Sequence, residues 1–237
     1  MSASSNLPSR RRPKQDSKSS NFSLYLLGAV LLLLIIGVIA INIWNSRTPT
    51  ITTQPLDVEA GWVDRNSMGN PEAKVVIDVY EDFLCPHCAD FSKTVKPQLY
   101  EEYIKTGKVR YVYHTFPLGG FEPGASVAAN AALCAADQNQ FWQMHDQLFA
   151  MQSQGMNAYE PASLIKVAEA MGLNRSEFST CMNSYKHNIE VMDTVSKGVA
   201  SGVSGTPTVF ANGTLVANGA DYTVLKAEVD KLLASGG

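Results

Sequence analysis

With 237 residues, 45% of them hydrophobic and 17% charged, the chain is long enough for a sizeable core and short enough for one or two domains. Its formal charge of -3 hides an asymmetry, since Arg10, Arg11, Arg12, Lys14 and Lys18 crowd the N-terminus with only Asp16 against them. That cluster abuts an apolar segment and no basic, aromatic-rich stretch follows it, so the reading excludes nucleic acid as a partner and assigns the cluster to targeting.

In chain order, residues 1 to 21 read as a disordered basic cytoplasmic tail, too poor in apolar surface to offset the entropy of ordering. Residues 22 to 44 read as a transmembrane anchor: from Leu24 to Ile41 every residue is apolar or small apart from Tyr25, a run that matches the roughly 20 residues needed to cross a bilayer as a helix. The positive charges lie on its N-terminal side, which predicts a single-pass cell-membrane protein with a cytoplasmic N-terminus and the rest of the chain outside. A cleaved signal peptide is the rival, but Ala40 to Trp44 offers no A-x-A site. Residues 45 to 60 read as a linker, and the folded domain as 61 to 237.

The first clear strand is Lys74 to Tyr80, too apolar for a solvent-facing edge. A helix is predicted from Cys85 or Pro86 to about Ile104, kinked at Pro97, and Lys108 to His114 alternates as a second strand, parallel to the first in a βαβ unit. Helical patterning from about 124 to 197 reads as an insertion. Two short strands around Asn212-Gly213 then make a hairpin, and an amphipathic helix from about Tyr222 to Leu233 closes the chain.

Cys85-Pro86-His87-Cys88 follows the buried strand and opens the helix, where unpaired N–H groups and the helix dipole favour a thiolate. Cys85 is therefore the expected attacking sulfur and Cys88, nearly one turn later, its buried partner. The His87 ring between them is expected to favour the thiolate further, stabilising the dithiol and making the disulfide more oxidising. A zinc half-site and a merely structural disulfide are the alternatives. The zinc reading wants a second ligand pair, which Cys134, Cys181, His114, His145 and His187 do not form by spacing. Gly205-Thr206-Pro207-Thr208 precedes the hairpin strand, where a proline can start a strand without donating a ladder bond, and base rates favour a trans bond there.

Together, Cys-Pro-His-Cys after a strand, a helical insertion and Gly-Thr-Pro-Thr-Val-Phe resemble the DsbA-like branch of the thioredoxin superfamily, over roughly residues 61 to 235. The resemblance implies an α/β thioredoxin-like fold with a helical insertion, preceded here by the transmembrane helix. It implies a cis Pro207 lying against the cysteines, and a Thr206 backbone that pairs with an extended substrate segment. Phe141 and Trp142 resemble the family's helical block and read as core. The family carries a buried acid six positions before its first cysteine, and that position is Val79. Glu81 and Asp82 are the nearest carboxylates, candidates for relaying a proton when Cys88 attacks, with solvated or capping roles as the alternative. Related members often carry a second cysteine pair in the insertion, so Cys134 and Cys181 read as a structural disulfide, with two buried free thiols as the alternative. The sequons at Asn174 and Asn212 read as chance, because the resemblance favours a bacterium.

The leading expectation is a disulfide oxidase acting on exported unfolded or thiol-bearing proteins. It needs no cofactor or metal beyond the redox-active disulfide, and by resemblance a membrane protein of the DsbB or vitamin K epoxide reductase type would reoxidise it. A reductase or isomerase using the same pair is the second reading. A non-enzymatic metal- or peptide-binding module is the third, and no Met or His cluster supports it.

Overall fold

In the computed structural model, the residues described are 20–45, 49–51 and 56–236. Two compact units result, residues 1–47 and 48–237. The first is the helix α1, Ser20–Asn45. Within it Leu24–Ile41 is long and apolar enough to cross a membrane. Most of the expected tail, and residues 46–48 and 52–55 of the expected linker, lie outside the described residues. Four of the other linker residues, all in the second unit, pack on the rest of it: Ile51 and Leu56 lie against its core, the Gln147 Nε2 donates to the Thr50 carbonyl at 3.0 Å, and the Asp57 amide donates to the Tyr100 hydroxyl at 2.6 Å.

The second unit is built on a six-stranded sheet of β1 (Val63–Asp64), β2 (Ser67–Met68), β3 (Val75–Glu81), β4 (Val109–Thr115), β5 (Thr208–Ala211) and β6 (Thr214–Leu215), in the spatial order β1-β2-β4-β3-β5-β6. Central β3 runs parallel to β4, with Val79 opposite Tyr113, and antiparallel to β5, with Val79 opposite Val209. The β3–β4 crossover consists of α2 (Pro86–Thr94), α3 (Lys96–Leu99) and a π turn over Tyr100–Ile104. The break between the two helices falls at Val95, where Pro97 removes a backbone donor from the continuing ladder.

The insertion is α4 (Gly124–Ala136), α5 (Phe141–Ala150), α6 (Pro161–Ala170), α7 (Arg175–Asn183) and α8 (Asn188–Ala200), and α9 (Tyr222–Ala234) closes the chain. Because strand side chains alternate, Val75, Ile77, Val79 and Glu81 share one face with Tyr111 and Tyr113 of β4, and the apolar members join the main core with Phe91, Leu99, Phe141 and Trp142. Tyr80, Phe116, Val203 and Phe210 form a smaller cluster on the opposite face.

Both sequons serve local structure. The Asn174 side chain caps α7 by accepting from the amides of Ser176 and Glu177. Asn212, at φ 47 in the turn before Gly213, accepts from the Val76 amide at 2.7 Å and donates to the Lys74 carbonyl at 3.1 Å.

Candidate active site

The strand-to-helix junction carries the site. Cys85 is the N-cap of α2 in an extended conformation and Pro86 takes the first turn, where a missing N–H is no loss. The loop before it is clamped from several sides. The Cys85 amide donates to the Asp82 carbonyl at 3.1 Å, and the Gln152 Nε2 donates to the Phe83 and Cys85 carbonyls at 2.8 and 3.0 Å. The two sulfurs are therefore held on a rigid element, as exchange chemistry requires.

Cys85 and Cys88 are both thiols here, 4% and 0% exposed. Hydrogen bonding from the Cys88 thiol lowers the Cys85 thiol to about 5 against the opposing effect of burial, with help from Thr206 and from the backbone amides of Cys88 and His87. Burial acts the other way on Cys88, pushing its thiol far up, and the nearby Cys85 and Glu81 push it further. One cysteine is a thiolate at neutral pH and the other is not. His87 contributes through its backbone N–H: its side chain is exposed, and the ring effect expected from the sequence is not among the influences on Cys85.

Titrating the dithiol by thiolate absorbance is expected to give a midpoint near about 5 for Cys85. Its depressed value makes the thiolate's stabilisation of the dithiol form complete above the free-thiol range of about 8.5, and that stabilisation is lost as pH falls through the folded midpoint. A midpoint near about 8.5 would remove the asymmetry.

Opposite the cysteines the Thr206–Pro207 bond is cis, so the base-rate expectation of trans gives way to the one carried by resemblance. As a thiol the Cys85 Sγ donates to the Thr206 carbonyl at 3.6 Å, a weak sulfur bond that the thiolate gives up. The Thr206 hydroxyl is buried without a hydrogen-bond partner beside the two sulfurs, where it favours the Cys85 thiolate. A second cis bond, Glu122–Pro123, lies ahead of α4.

The two carboxylates beside the site separate in role. Asp82 is 2% exposed and binds the loops together, its Oδ1 accepting from the Leu84 amide at 2.8 Å and its Oδ2 from the Leu118 amide at 2.7 Å. It caps, but in a buried setting: burial lifts it to about 6 against the pull of those amides. Glu81 is 1% exposed, on the same strand face as Val79, and neither carboxylate oxygen has a hydrogen-bond partner. Burial raises it well above the usual carboxylate range, and the Cys85 charge adds to that against the opposing Lys96. So a buried acid is present, two residues beyond the Val79 position.

Cys134 of α4 and Cys181 of α7 are joined as a disulfide with a Cα–Cα distance of 5.9 Å. His187 lies beside it, bonded to Asp137 at 2.9 Å and Glu190 at 2.8 Å. These two sulfurs and His187 group like metal ligands, but the sulfurs are spent on each other.

Sequence reasoning missed Gln152, Lys96, Asp146 and the role of His145. Nothing local marks them: Lys96 comes from α3, His145 and Asp146 from α5 and Gln152 from the turn after α5, so only tertiary packing brings them to the site.

Residues 63–231 match the thioredoxin family model. A Na(+)/H(+) antiporter NhaA 1 of Salinispora arenicola is 36% identical over 151 residues, 63% of this chain and 22% of that protein. The chain thus spans about a fifth of that relative's length. A probable disulfide bond formation protein D of Bacillus anthracis is 28% identical over 91% of this chain and 99% of its own. Among solved structures, oxidised BdbD from Bacillus subtilis superposes with a TM-score of 0.65 at 22% identity, covering 72% of this chain and 93% of that one.

Proposed function

The chain belongs to the thioredoxin family, within it to the DsbA-like thiol-disulfide oxidoreductases, and from that premise we propose that it is an extracytoplasmic disulfide oxidase held at the membrane by α1. The observation that carries this reading is the opposed chemistry of the pair, with Cys85 brought down to about 5 and Cys88 pushed up. A stabilised Cys85 thiolate favours the dithiol over the disulfide, which makes the disulfide an electron acceptor.

A substrate thiolate attacks the Cys85 sulfur of the disulfide. The Cys85–Cys88 bond breaks, its electron pair leaves on Cys88, and Cys88 takes a proton, for which Glu81 is the adjacent donor. A second substrate thiolate then attacks the substrate sulfur of the mixed disulfide, releasing an oxidised substrate and the Cys85 thiolate. Thr206 and Pro207 line the approach, where an extended segment of an exported, thiol-bearing protein can pair with the Thr206 backbone. Turnover requires a membrane reoxidant, for which a DsbB-like or vitamin K epoxide reductase-like protein is the class, and the anchor keeps the two within reach. No cofactor beyond the disulfide enters any step.

The test is the reduction potential of Cys85–Cys88, equilibrated against glutathione with Cys134–Cys181 followed separately. A value near about -120 mV is expected, whereas one near about -270 mV would turn the reading to a reductase.

A further inference from the structure

We propose that His145, with Lys96 and Asp146, forms a proton relay that connects the Glu81 carboxyl to solvent during thiol-disulfide exchange at Cys88. The proposal deepens the exchange reading and rests on it.

Glu81 and His145 are both fully buried at their side chains, and the Glu81 Oε2 lies 4.0 Å from the His145 Nε2. Neither Glu81 oxygen nor this ring nitrogen has a hydrogen-bond partner. Leaving such atoms unpaired in a dry interior is costly, and a phenyl ring in place of the imidazole would avoid that loss. The rings of Phe83, Tyr113, Phe141, Trp142 and Phe149 surround the imidazole at centroid distances of 4.9 to 6.3 Å and form an aromatic wall around it. Closing the gap to a hydrogen bond takes a shift of about 1 Å.

The other ring nitrogen leads outward. The His145 Nδ1 lies 2.8 Å from the Asp146 Oδ1 and 3.3 Å from the Lys96 Nζ, and Lys96 donates to the same Asp146 oxygen at 2.6 Å. The Lys96 and Asp146 side chains are 12% and 16% exposed, so the path Glu81, His145, Lys96/Asp146 runs from a sealed interior to water. Nδ1 thus faces one donor and one acceptor. With the proton on Nε2, Nδ1 accepts from Lys96; with the proton on Nδ1, it donates to Asp146. Both tautomers are served without moving the ring.

The charged and titratable groups facing the imidazole are Glu81 from β3, Tyr113 from β4, Lys96 from α3 and Asp146 from its own helix. Burial, and then the Lys96 charge, bring His145 down to about 4 against the opposing Asp146, so the ring is neutral at working pH and passes one proton for each it takes. Asp146, although burial opposes it, is held low by His145 and Lys96 and stays a carboxylate.

The bookkeeping closes over one cycle. As Cys88 leaves as a thiolate, the Glu81 carboxylic acid gives it a proton. Glu81 regains one from His145 Nε2, Nδ1 takes one from the Lys96 ammonium, and Lys96 recovers one from water. The dithiol state is left with the Nδ1 tautomer. Reoxidation runs the same steps in reverse order: Lys96 gives a proton to water, Nδ1 passes its proton to Lys96, Nε2 takes the Glu81 proton, and the Glu81 carboxylate then takes the proton of Cys88, which restores the first tautomer. His145 and Lys96 touch neither sulfur, so they are positioning and relay residues.

The test uses the full chain in detergent. The rate of Cys85–Cys88 reduction by dithiothreitol is followed by stopped flow across pH 6 to 9, in H2O and D2O, for the unmodified protein, His145→Gln and Lys96→Met. Gln keeps hydrogen-bonding capacity but cannot shuttle a proton. The expected result is a slowing of about tenfold or more for His145→Gln, with a larger solvent isotope effect and an unchanged Cys85 thiolate midpoint, and a smaller change in the same direction for Lys96→Met. Rates within twofold of the unmodified protein for both variants would overturn the relay, as would a Cys85 midpoint that moves with the rate, which marks a packing effect. Lys96→Met decides alone, on the same twofold criterion, if His145→Gln does not fold. Dithiothreitol reads the relay whether or not the protein oxidises exported substrates, so a protein that reacts with it normally and oxidises no reduced protein fails the oxidase reading while leaving the relay standing.

Discussion

Cys88→Ser is expected to convert the protein into a trap that accumulates mixed disulfides with its substrates, while Cys85→Ser is expected to abolish exchange, by on the order of a thousandfold or more. The two sulfurs are close neighbours in sequence, yet the substitutions act differently because the environments differ. Cys85 lies at the helix start with its thiol lowered to about 5, supported by the amides of His87 and Cys88 and by Thr206. It is the less buried of the two residues, at 4% against 0% exposure, and in the proposed exchange no mixed disulfide forms without it. Cys88 is completely buried with a raised thiol. In the proposed exchange its part is to attack Cys85 from within and release a stalled substrate, and a serine hydroxyl cannot do that. The check is a non-reducing gel and intact-mass measurement after mixing oxidised dithiol peptide with each reduced variant: a peptide adduct that persists on Cys88→Ser and is absent on Cys85→Ser is the expected pair of outcomes. If Cys85→Ser retains a tenth of the activity, another sulfur is the nucleophile.

Much of this site was legible in the residues alone. A β-branched strand, a Cys-x-x-Cys with Pro at the first turn and a Gly-Thr-Pro-Thr ahead of a hairpin are local patterns, each set by backbone chemistry within a few positions. The parallel β3–β4 pair, the β5–β6 hairpin and the helical character of the insertion follow from the same periodicities, whereas the antiparallel pairing of β3 with β5 does not. What was not legible depends on packing. Counting six residues back from Cys85 lands on Val79, but β3 continues to Glu81, and a two-residue step keeps the side chain on the same buried face. That signal was available from the strand period and was masked by the fixed spacing of the family pattern. His145 carried no signal, since a histidine in an aromatic helix face looks like core until α5 is laid against the strand. The β1–β2 pair has two residues per strand, too short for any alternation to declare itself. Composition marks the linker but carries no sign that Ile51 and Leu56 find apolar partners.

The second large effect lies away from the chemistry. Replacing both Cys134 and Cys181 by Ala is expected to lower stability by about 4 kcal/mol, because opening the loop closed across a sequence separation of 47 restores chain entropy to the unfolded state. For a domain of this size that corresponds to a fall of roughly 8 to 16 °C in Tm. The sulfurs themselves are buried among helices, at 1% and 7% exposure, so alanine leaves only small voids and introduces no unpaired polar group. Around them His187, Asp137, Glu190 and Lys186 form a polar mesh that bridges α4 to the start of α8, and this mesh survives the substitution. The loss is therefore expected in the unfolding midpoint of the oxidised protein and not in the Cys85 thiolate midpoint. Calorimetry of the double variant against the unmodified chain, both with Cys85–Cys88 oxidised, checks the size. A change under about 1 kcal/mol would mean that the insertion is already held by packing alone, and that the bond limits the unfolded chain far less than its loop length implies.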